Sequence, residues 1–467
     1  MKTSRFILLF IGLVVPFVVA HSSADVLRVT VDDNRLQFTS IQTIEEFLIA
    51  NITPTMTDGV DDIDPRRTTL SPNGDMLIFH RRDRERSVGM VCEYSFSSNS
   101  TNCVEEVEEL PDFIGGWWSP DSRYVVLDSD IASLQYMREA DLTIYDTQED
   151  VIIYRTDDGV SVREDILADE VRNRVWVDTA PIFAPNGDLY FFRNAIDASV
   201  DEWRADLMRI PANEISGTSA PEVIWRHPTI GAYPVFRTSD WFLDGAMSIS
   251  PDGKYLAIAS ISLGRPEDTT NGIWLFDLEQ QAVKIQIPIS RLAEVTSGVP
   301  VWITQNMVST QFGGIIPNSL GWASDSNILV IKASNFLYYT EFFIPPLRYD
   351  VTADTLESLY DFTAIPEDGY KPDITLFDEV SISADISISM NVMSPSGQTM
   401  FYIGRDAITD TFVLSAISVV ESGFTTPRRI ATLTDYEPRS RIVTSIGYTA
   451  PTLRILTGTT LITLSDQ

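Results

Sequence analysis

The chain has 467 residues, 44% of them hydrophobic, and 66 acidic against 34 basic side chains give it a formal charge of −32. That is apolar material for a large core, while the acidity argues against a nucleic-acid-binding surface and against docking on anionic membranes, which carry like charge. Past the N-terminal residues, no apolar run approaches the roughly 18 residues of a membrane-spanning helix, so no transmembrane segment is expected there.

Residues 1–24 read as a secretory signal peptide. Lys2 and Arg5 supply a basic start, and residues 6–20 are apolar apart from Gly12 and Pro16. Two small-residue cleavage sites follow, Val18-Val19-Ala20 and Ser22-Ser23-Ala24, the second just before Asp25. A membrane anchor is the other reading of such a run, but this one is short and has no basic cluster behind it. The expectation is a secreted or periplasmic protein with one domain over residues 25–467. Its charge is −34 rather than −32, because Lys2 and Arg5 leave with the segment and no acid does.

The segment VLRVTV at 26–31 has the β-branched alternation of a strand. Residues 57–65, TDGVDDIDP, gather Asp58, Asp61, Asp62 and Asp64 beside Gly59. Hard carboxylate oxygens suit Ca2+, but the spacing is not that of a calcium loop and no Glu closes it at the twelfth position. A solvated loop leading into the first repeat is the plainer reading. Ca2+ is the only cofactor left open. Asp128 with Asp130, and residues 156–159, are weaker acidic clusters.

Cys92 and Cys103 are the only cysteines, and an even count in an exported chain predicts a disulfide. They flank YSFSSNSTN, a polar turn between two strand-like stretches. The bond would staple one hairpin and contribute about 2–3 kcal/mol on chain-entropy grounds. Asn51-Ile52-Thr53 and Asn99-Ser100-Thr101 fit the glycosylation pattern, which matters only in a eukaryotic secretory pathway.

One motif then recurs along the chain. It reads LSPNGDMLIF from Leu70, WSPDSRYVVL from Trp118, FAPNGDLYFF from Phe183, ISPDGKYLAI from Ile249, WASDSNILVI from Trp322 and MSPSGQTMFY from Met393. Pro fixes φ, Asn or Asp tolerates the left-handed region and Gly adopts it freely, so each copy is a tight turn between two apolar strands. Ser122 and Ser326 replace the Gly in the second and fifth copies, and Ser324 replaces the Pro in the fifth, so those turns need another backbone solution. Further strand-like runs follow the hairpins, at 142–146 and 151–155, at 273–278 and 283–288, and at 347–351 and 356–362. Four strands per unit make the blade of an all-β propeller. A weak last copy, SIGYTAPTLRIL at 445–456, has Pro451 at the turn and LITLS as a third strand. The expectation is seven four-stranded blades, six being the alternative, with 26–31 pairing 460–464 to close the ring.

The repeat, apolar-Ser-Pro-Asp/Asn-Gly followed by strands ending in a Tyr-Asp or Phe-Asp-Leu step, resembles that of TolB-like periplasmic propellers, a WD-like repeat. It is similar also to the propeller of prolyl-oligopeptidase-type peptidases. The resemblance spans about residues 66–467 and implies a rigid disc with a funnel, used mostly for protein–protein contact. The peptidases add an α/β-hydrolase domain, of which this sequence has no Gly-x-Ser-x-Gly elbow.

Chemistry is sparse. His21, His80 and His227 are the only histidines; neither a Ser-His-acid triad nor zinc-ligand spacing can be built on them. Aromatic residues are the stronger hint. Trp117 should face away from Trp118 by strand alternation, and Trp241, Trp302 and Phe312 lie in long segments between hairpins. Such aromatics beside acids suit a cationic peptide or a sugar, although packing between blades would also use them. The segment 296–318 is the first place to look for a partner. The leading reading is therefore an exported scaffold that binds a protein or peptide. The alternative is a propeller-type hydrolase or lyase acting on carbohydrate through funnel carboxylates or a bound cation.

Overall fold

The computed structural model describes residues 36–51, 62–83, 88–105, 113–129, 142–154, 176–197, 202–228, 247–260, 271–295, 316–323, 326–334, 347–358, 375–377, 380–381, 391–393, 399–406, 411–420, 423–424, 428–433, 445–449, 451–457 and 460–466. Each motif copy is the hairpin between the first two strands of an antiparallel sheet. Blade 1 runs Asp62–Leu70, Met76–Asp83, Val88–Ser95, Ser100–Glu105, and blade 2 runs Phe113–Trp118, Tyr124–Ser129, Thr143–Asp146, Val151–Tyr154. Blade 3 runs Trp176–Phe183, Leu189–Asp197, Glu202–Ile210, Glu222–Arg226. Blade 4 runs Met247–Ile249, Tyr255–Ser260, Gly272–Asp277, Ala282–Pro288, and blade 5 runs Ile316–Trp322, Ile328–Ser334, Leu347–Asp350, Thr355–Ser358. The first strands of successive sheets touch one another in chain order from blade 1 to the sheet that opens at Asn391, and the first strand of the last sheet, Ser445–Thr449, touches that of blade 1. The sheets therefore stand around an axis as a β-propeller.

Seven four-stranded blades are not seen among the described residues. Among the described residues six sheets have four strands, the lower of the two expected counts. The copy around Pro395 heads a five-stranded sheet instead. Its ten-residue strand Thr411–Val420 is long enough to pair Gly423–Phe424 at one end and Arg428–Leu433 along the other.

The remaining blade closes the ring. Ser445–Thr449, Thr452–Thr457 and Thr460–Asp466 supply three strands, and Leu36–Thr43 from the other end of the chain supplies the outermost. Its register runs from Leu36 opposite Asp466 to Thr43 opposite Thr460. Closure by an N-terminal strand thus holds, but the strand is 36–43, not 26–31, which lies outside the described residues. LQFTSIQT is the more polar segment and suits an outer position with one wet edge. The helix Ile44–Asn51 follows at once and buries Leu48 against blade 1. A second helix, Ile289–Val295, buries Leu292 beside blade 5, where Arg291 donates to Asp354 Oδ1 at 2.7 Å.

The core lies in the seams between blades, so both faces of a blade are buried. Ile78 and Val91 of blade 1 pack on Val125, Leu127 and Tyr145 of blade 2, and Val126 and Ile144 on the other face of blade 2 meet Phe191 and Met208 of blade 3. Trp118 and Trp117 follow this alternation into the two seams.

The turn motif explains its own residues. Ser71 Oγ donates to Asn73 Oδ1 at 2.7 Å and accepts from Met76 N at 2.9 Å, and Ser119 with Asp121 and Ser250 with Asp252 repeat the arrangement. The fourth turn residue is left-handed, with φ of +68° at Gly74 and +74° at Gly253. Ser122 and Ser326 adopt +61° at the same position despite their Cβ. Each is buried and stapled to the preceding blade: Ser122 Oγ accepts from Asn73 N at 3.1 Å, and Ser326 Oγ from Asp252 N at 3.0 Å. The same two copies carry Trp four residues earlier, and both indoles reach back across the same seam. Trp118 Nε1 donates to Thr69 Oγ1 at 3.1 Å and Trp322 Nε1 to the Ser248 carbonyl at 3.0 Å.

Equivalent glycines should therefore differ in tolerance. A Cβ on Gly74 would come within 2.8 Å of the Gly447 backbone in the closing blade, whereas one on Gly253 would meet only Pro185 at 3.5 Å. Gly253→Ala is expected to lose about 1–2 kcal/mol, the left-handed penalty alone. Gly74→Ala should lose clearly more, because the ring-closing seam must move. Urea unfolding of the two variants side by side checks this; equal losses would mean that the seam is loose.

Candidate functional site

Strand alternation gives the ring two unlike ends. At one end emerge the motif turns and the short connections at 96–99, 147–150, 278–281 and 351–354. This turn end is locked. In blade 2 Asp146, buried at the end of the third strand, takes Arg123 as a bidentate partner at 3.1 and 2.7 Å and accepts from Gln148 N at 3.0 Å. Burial alone would raise the Asp146 pKa, but the hydrogen bonds from Arg123 and the turn amides hold it below the usual carboxylate range. Asp350 accepts from Thr352 N and Ala353 N, and Asp277 from Gln280 N, in the same manner. A tyrosine near the end of the third strand also has a fixed role, before the Asp in blades 2 and 5 and before Ser95 in blade 1. Tyr145 OH donates to Asp150 at 3.1 Å, Tyr349 OH to Asp354 at 2.9 Å and Tyr94 OH to Asn99 at 2.6 Å, each acceptor sitting at φ of +52°. The hydrogen bond from Arg291, with that of Tyr349 behind it, holds the Asp354 carboxyl below its ordinary pKa. The Tyr-Asp step of the repeat is thus a turn lock, not a reactive pair. In blade 3 the corresponding connection, 211–221, is longer, and Asp188 anchors it through Ala212 N and Arg209.

At the other end emerge the second-to-third strand connections and those between blades. They include 130–141, 155–175, 229–246, 261–270, 296–315 and 335–346. Trp241 lies in 229–246, which enters the first strand of blade 4. Trp302 and Phe312 lie in 296–315, which follows the helix after the last strand of blade 4. All three are outside the described residues; 229–246 leads into the first strand of blade 4, and 296–315 joins the helix after blade 4 to the first strand of blade 5. Trp117 is elsewhere, half-buried against the cluster between blades 2 and 3.

Two features mark the bases of these connections in blade 3. Asp178, on the first strand, lies opposite Arg193 and binds its guanidinium in a fork, Nε to Oδ1 at 2.8 Å and Nη2 to Oδ2 at 2.7 Å. The Asp178 side chain is wholly buried. His227, at the start of the segment that carries Trp241, is buried between Trp225 and Trp274, with ring centroids at 5.2 and 5.4 Å. Its backbone N–H donates to the Ala205 carbonyl at 2.9 Å. His227, just past the end of the strand Glu222–Arg226, is part of an aromatic nest, and the Trp-x-His spacing was the available signal. His80 is a buried strand residue paired with Val91, and His21 is outside the described residues.

Asp58, Asp61 and Asp130 lie outside the described residues, as do residues 156–159. Asp62 and Asp64 belong to the first strand of blade 1, opposite Arg82 and His80, and Asp128 to the second strand of blade 2. Among the described residues no three His, Cys, Asp or Glu side chains converge on a metal position, and no helix is long and apolar enough to cross a membrane. Cys92 and Cys103 are joined as a disulfide between directly opposed strand positions.

No family model matches the chain, and no curated protein matches it. Solved structures do. An oligogalacturonate lyase from Vibrio parahaemolyticus is 12% identical, covers 92% of this chain and 97% of its own, and has a TM-score of 0.48. A chain of a mitotic checkpoint complex is 10% identical over 93% and 94%, with a TM-score of 0.46. The Dos1 propeller is 9% identical over 92% and 96%, with a TM-score of 0.44.

The Asp178–Arg193 fork is a buried ion pair near the connection-bearing end of blade 3. Asp178→Ala removes the carboxylate and leaves the largely buried guanidinium without that fork. A loss of about 3 kcal/mol is expected in denaturant unfolding, against less than about 0.5 kcal/mol for an exposed surface change such as Asn213→Ala.

Proposed function

We propose that this chain is an exported propeller scaffold that binds a protein or peptide partner through the connections at one end of its ring. The observation that carries this reading is the asymmetry between the ends. The turn end is made mostly of short connections locked by repeated side-chain hydrogen bonds, 211–221 of blade 3 being the longer one. The opposite end receives the long connections, and rigid scaffolds place recognition on such segments. The two that hold Trp241, Trp302 and Phe312 lead into blade 4 and from the helix after it to blade 5, so one partner can engage both. Aromatic anchors within an acidic surface favour a partner with exposed cationic side chains.

Two experiments test the parts of this reading separately. Expression of the full chain in a host that exports it should give a product whose N-terminal sequencing begins at His21 or Asp25. A product retained in the cytoplasm with Met1 intact removes the export claim. For recognition, the processed protein serves as bait against the envelope and medium of its native source. Replacing 296–315 by a short Gly/Ser linker should abolish capture of a reproducible partner while the melting temperature is kept. Changing the exposed Thr218 and Ser219 of the turn end should leave capture intact. Capture that survives the first replacement and fails after the second would move the binding face to the other end.

A further inference from the structure

Glu93 is a polar residue in a place built for apolar ones. It lies on the third strand of blade 1, opposite Ile78 and Asn102. By alternation it shares the face of Val91, which packs with Ile78 on Val125, Leu127 and Tyr145 of blade 2. Its Oε2 is buried and has no hydrogen-bond partner. The charged groups acting on it come from both blades. Asp75, in the motif turn of blade 1, is held by Ser97 N and Ser97 Oγ, each at 2.8 Å. Asp150, in the outer turn of blade 2, is held by Tyr145 OH. Asp146 is covered by Arg123 at 2.7 Å. Arg454 of the closing blade acts on Asp75; it lies over the Phe96 ring at 4.0 Å and donates to the Gly74 carbonyl. Among the described residues no cation acts on Glu93 itself.

An ionised carboxylate here carries a buried oxygen without a donor, beside two like charges; a protonated one carries a hydroxyl and no charge. Burial, then Asp150 and Asp75, raise the Glu93 pKa from 4.5 to about 7. We propose that the seam between blades 1 and 2 is a pH-sensitive latch, tight while Glu93 is protonated and weakened when it ionises. The sign follows from linkage. A carboxyl whose folded pKa is raised contributes stability that is fully present below pH 4.5, falls as the pH rises through about 7, and is gone above that. The latch spans the blades that carry the connections at 84–87, 106–112 and 130–141, so its release would loosen that arc of the ring first. The inference is independent of the partner-binding reading.

The test uses the full processed chain with its disulfide intact. Melting temperatures are measured from pH 5 to 8.5 for the wild type, Glu93→Gln and the exposed control Glu279→Gln. Glu93→Gln keeps the shape without the charge, so its advantage over the wild type should grow across that window to roughly 1–3 °C at pH 8, while the control stays parallel to the wild type. Hydrogen exchange, corrected for the intrinsic pH dependence, should show the amides of Met90–Tyr94 opening more readily above pH 7 in the wild type only. An offset between wild type and Glu93→Gln that is constant with pH would overturn the proposal. Should Glu93→Gln fold poorly, Asp150→Asn serves instead. It removes one repelling charge and should move the wild-type transition to lower pH; an unmoved transition would equally overturn it.

Discussion

Everything in this molecule hangs on one pairing, the outer strand Leu36–Thr43 against Thr460–Asp466. It joins residues from opposite ends of the chain, and a ring of sheets packed only on its neighbours needs that last join to have no open seam. The entropic penalty of so long a loop is smaller than it looks. Loop closure grows by only about 0.6 kcal/mol per doubling of length, so closing this ring costs roughly 3 kcal/mol more than closing a short hairpin. Burial of Leu461, Ile462 and Leu464 in the closing blade offsets that, at roughly 1.5–3 kcal/mol for each buried side chain. The close approach of Gly74 and Gly447 belongs to the same join. Tyr448 N donates to the Pro72 carbonyl at 3.1 Å, and Thr449 Oγ1 donates to that of Asn73.

Once the ring is closed, every blade is covered on both faces, and this decides what polar residues can do. An oxygen or N–H that enters a seam must find a partner across it or be left buried alone. Copies two and five solve this as a pair. The Trp indole crosses to the preceding blade, and the Ser hydroxyl, held by a left-handed backbone, receives an amide from it. A hydroxyl worth about 1 kcal/mol when satisfied outweighs part of the left-handed penalty that Gly would have avoided. Two substitutions that look like decay of the repeat are thus one seam staple used twice.

Much of this was legible in the residues. The motif copies fall on the hairpins between first and second strands, and segments such as 273–278 and 347–351 form the expected third strands, because their residue types act locally. Pro and Gly decide φ, and β-branched runs decide extension. The disulfide was legible for the same reason, since it joins neighbours in one hairpin. What was not legible is set by distant contacts. VLRVTV looks more strand-like than LQFTSIQT, yet the closing position is an edge with one wet side, and only its partner strand defines that. The fifth strand around 423–424 depends on how far Thr411–Val420 extends. Ser122 and Ser326 could be recognised as anomalies but not explained, because their partners, Asn73 and Asp252, lie on other blades. At the candidate site, alternation sends Trp117 and Trp118 to opposite faces, but that both faces are interior follows only from the closed ring.

The two ends of the disc then follow from one rule applied twice. Where connections are short, the chain has no freedom to vary, and the repeat spends its Tyr, Asp, Ser and Asn on locking turns. Where connections are long, the blade needs only a firm base, and blade 3 provides one with the Asp178–Arg193 fork and the Trp225–His227–Trp274 nest. Recognition by segments that begin on such bases loses less entropy on binding than recognition by segments without them. Glu93 is the exception that neither end explains. It is neither a turn lock nor the base of a connection, and an apolar residue there would pack the seam between blades 1 and 2 without an orphaned oxygen. A residue that breaks the pattern with no structural gain points to a use other than stability. A seam that responds to protonation is the use its surroundings allow, because its charge is the property on which burial, Asp75 and Asp150 all act in the same direction.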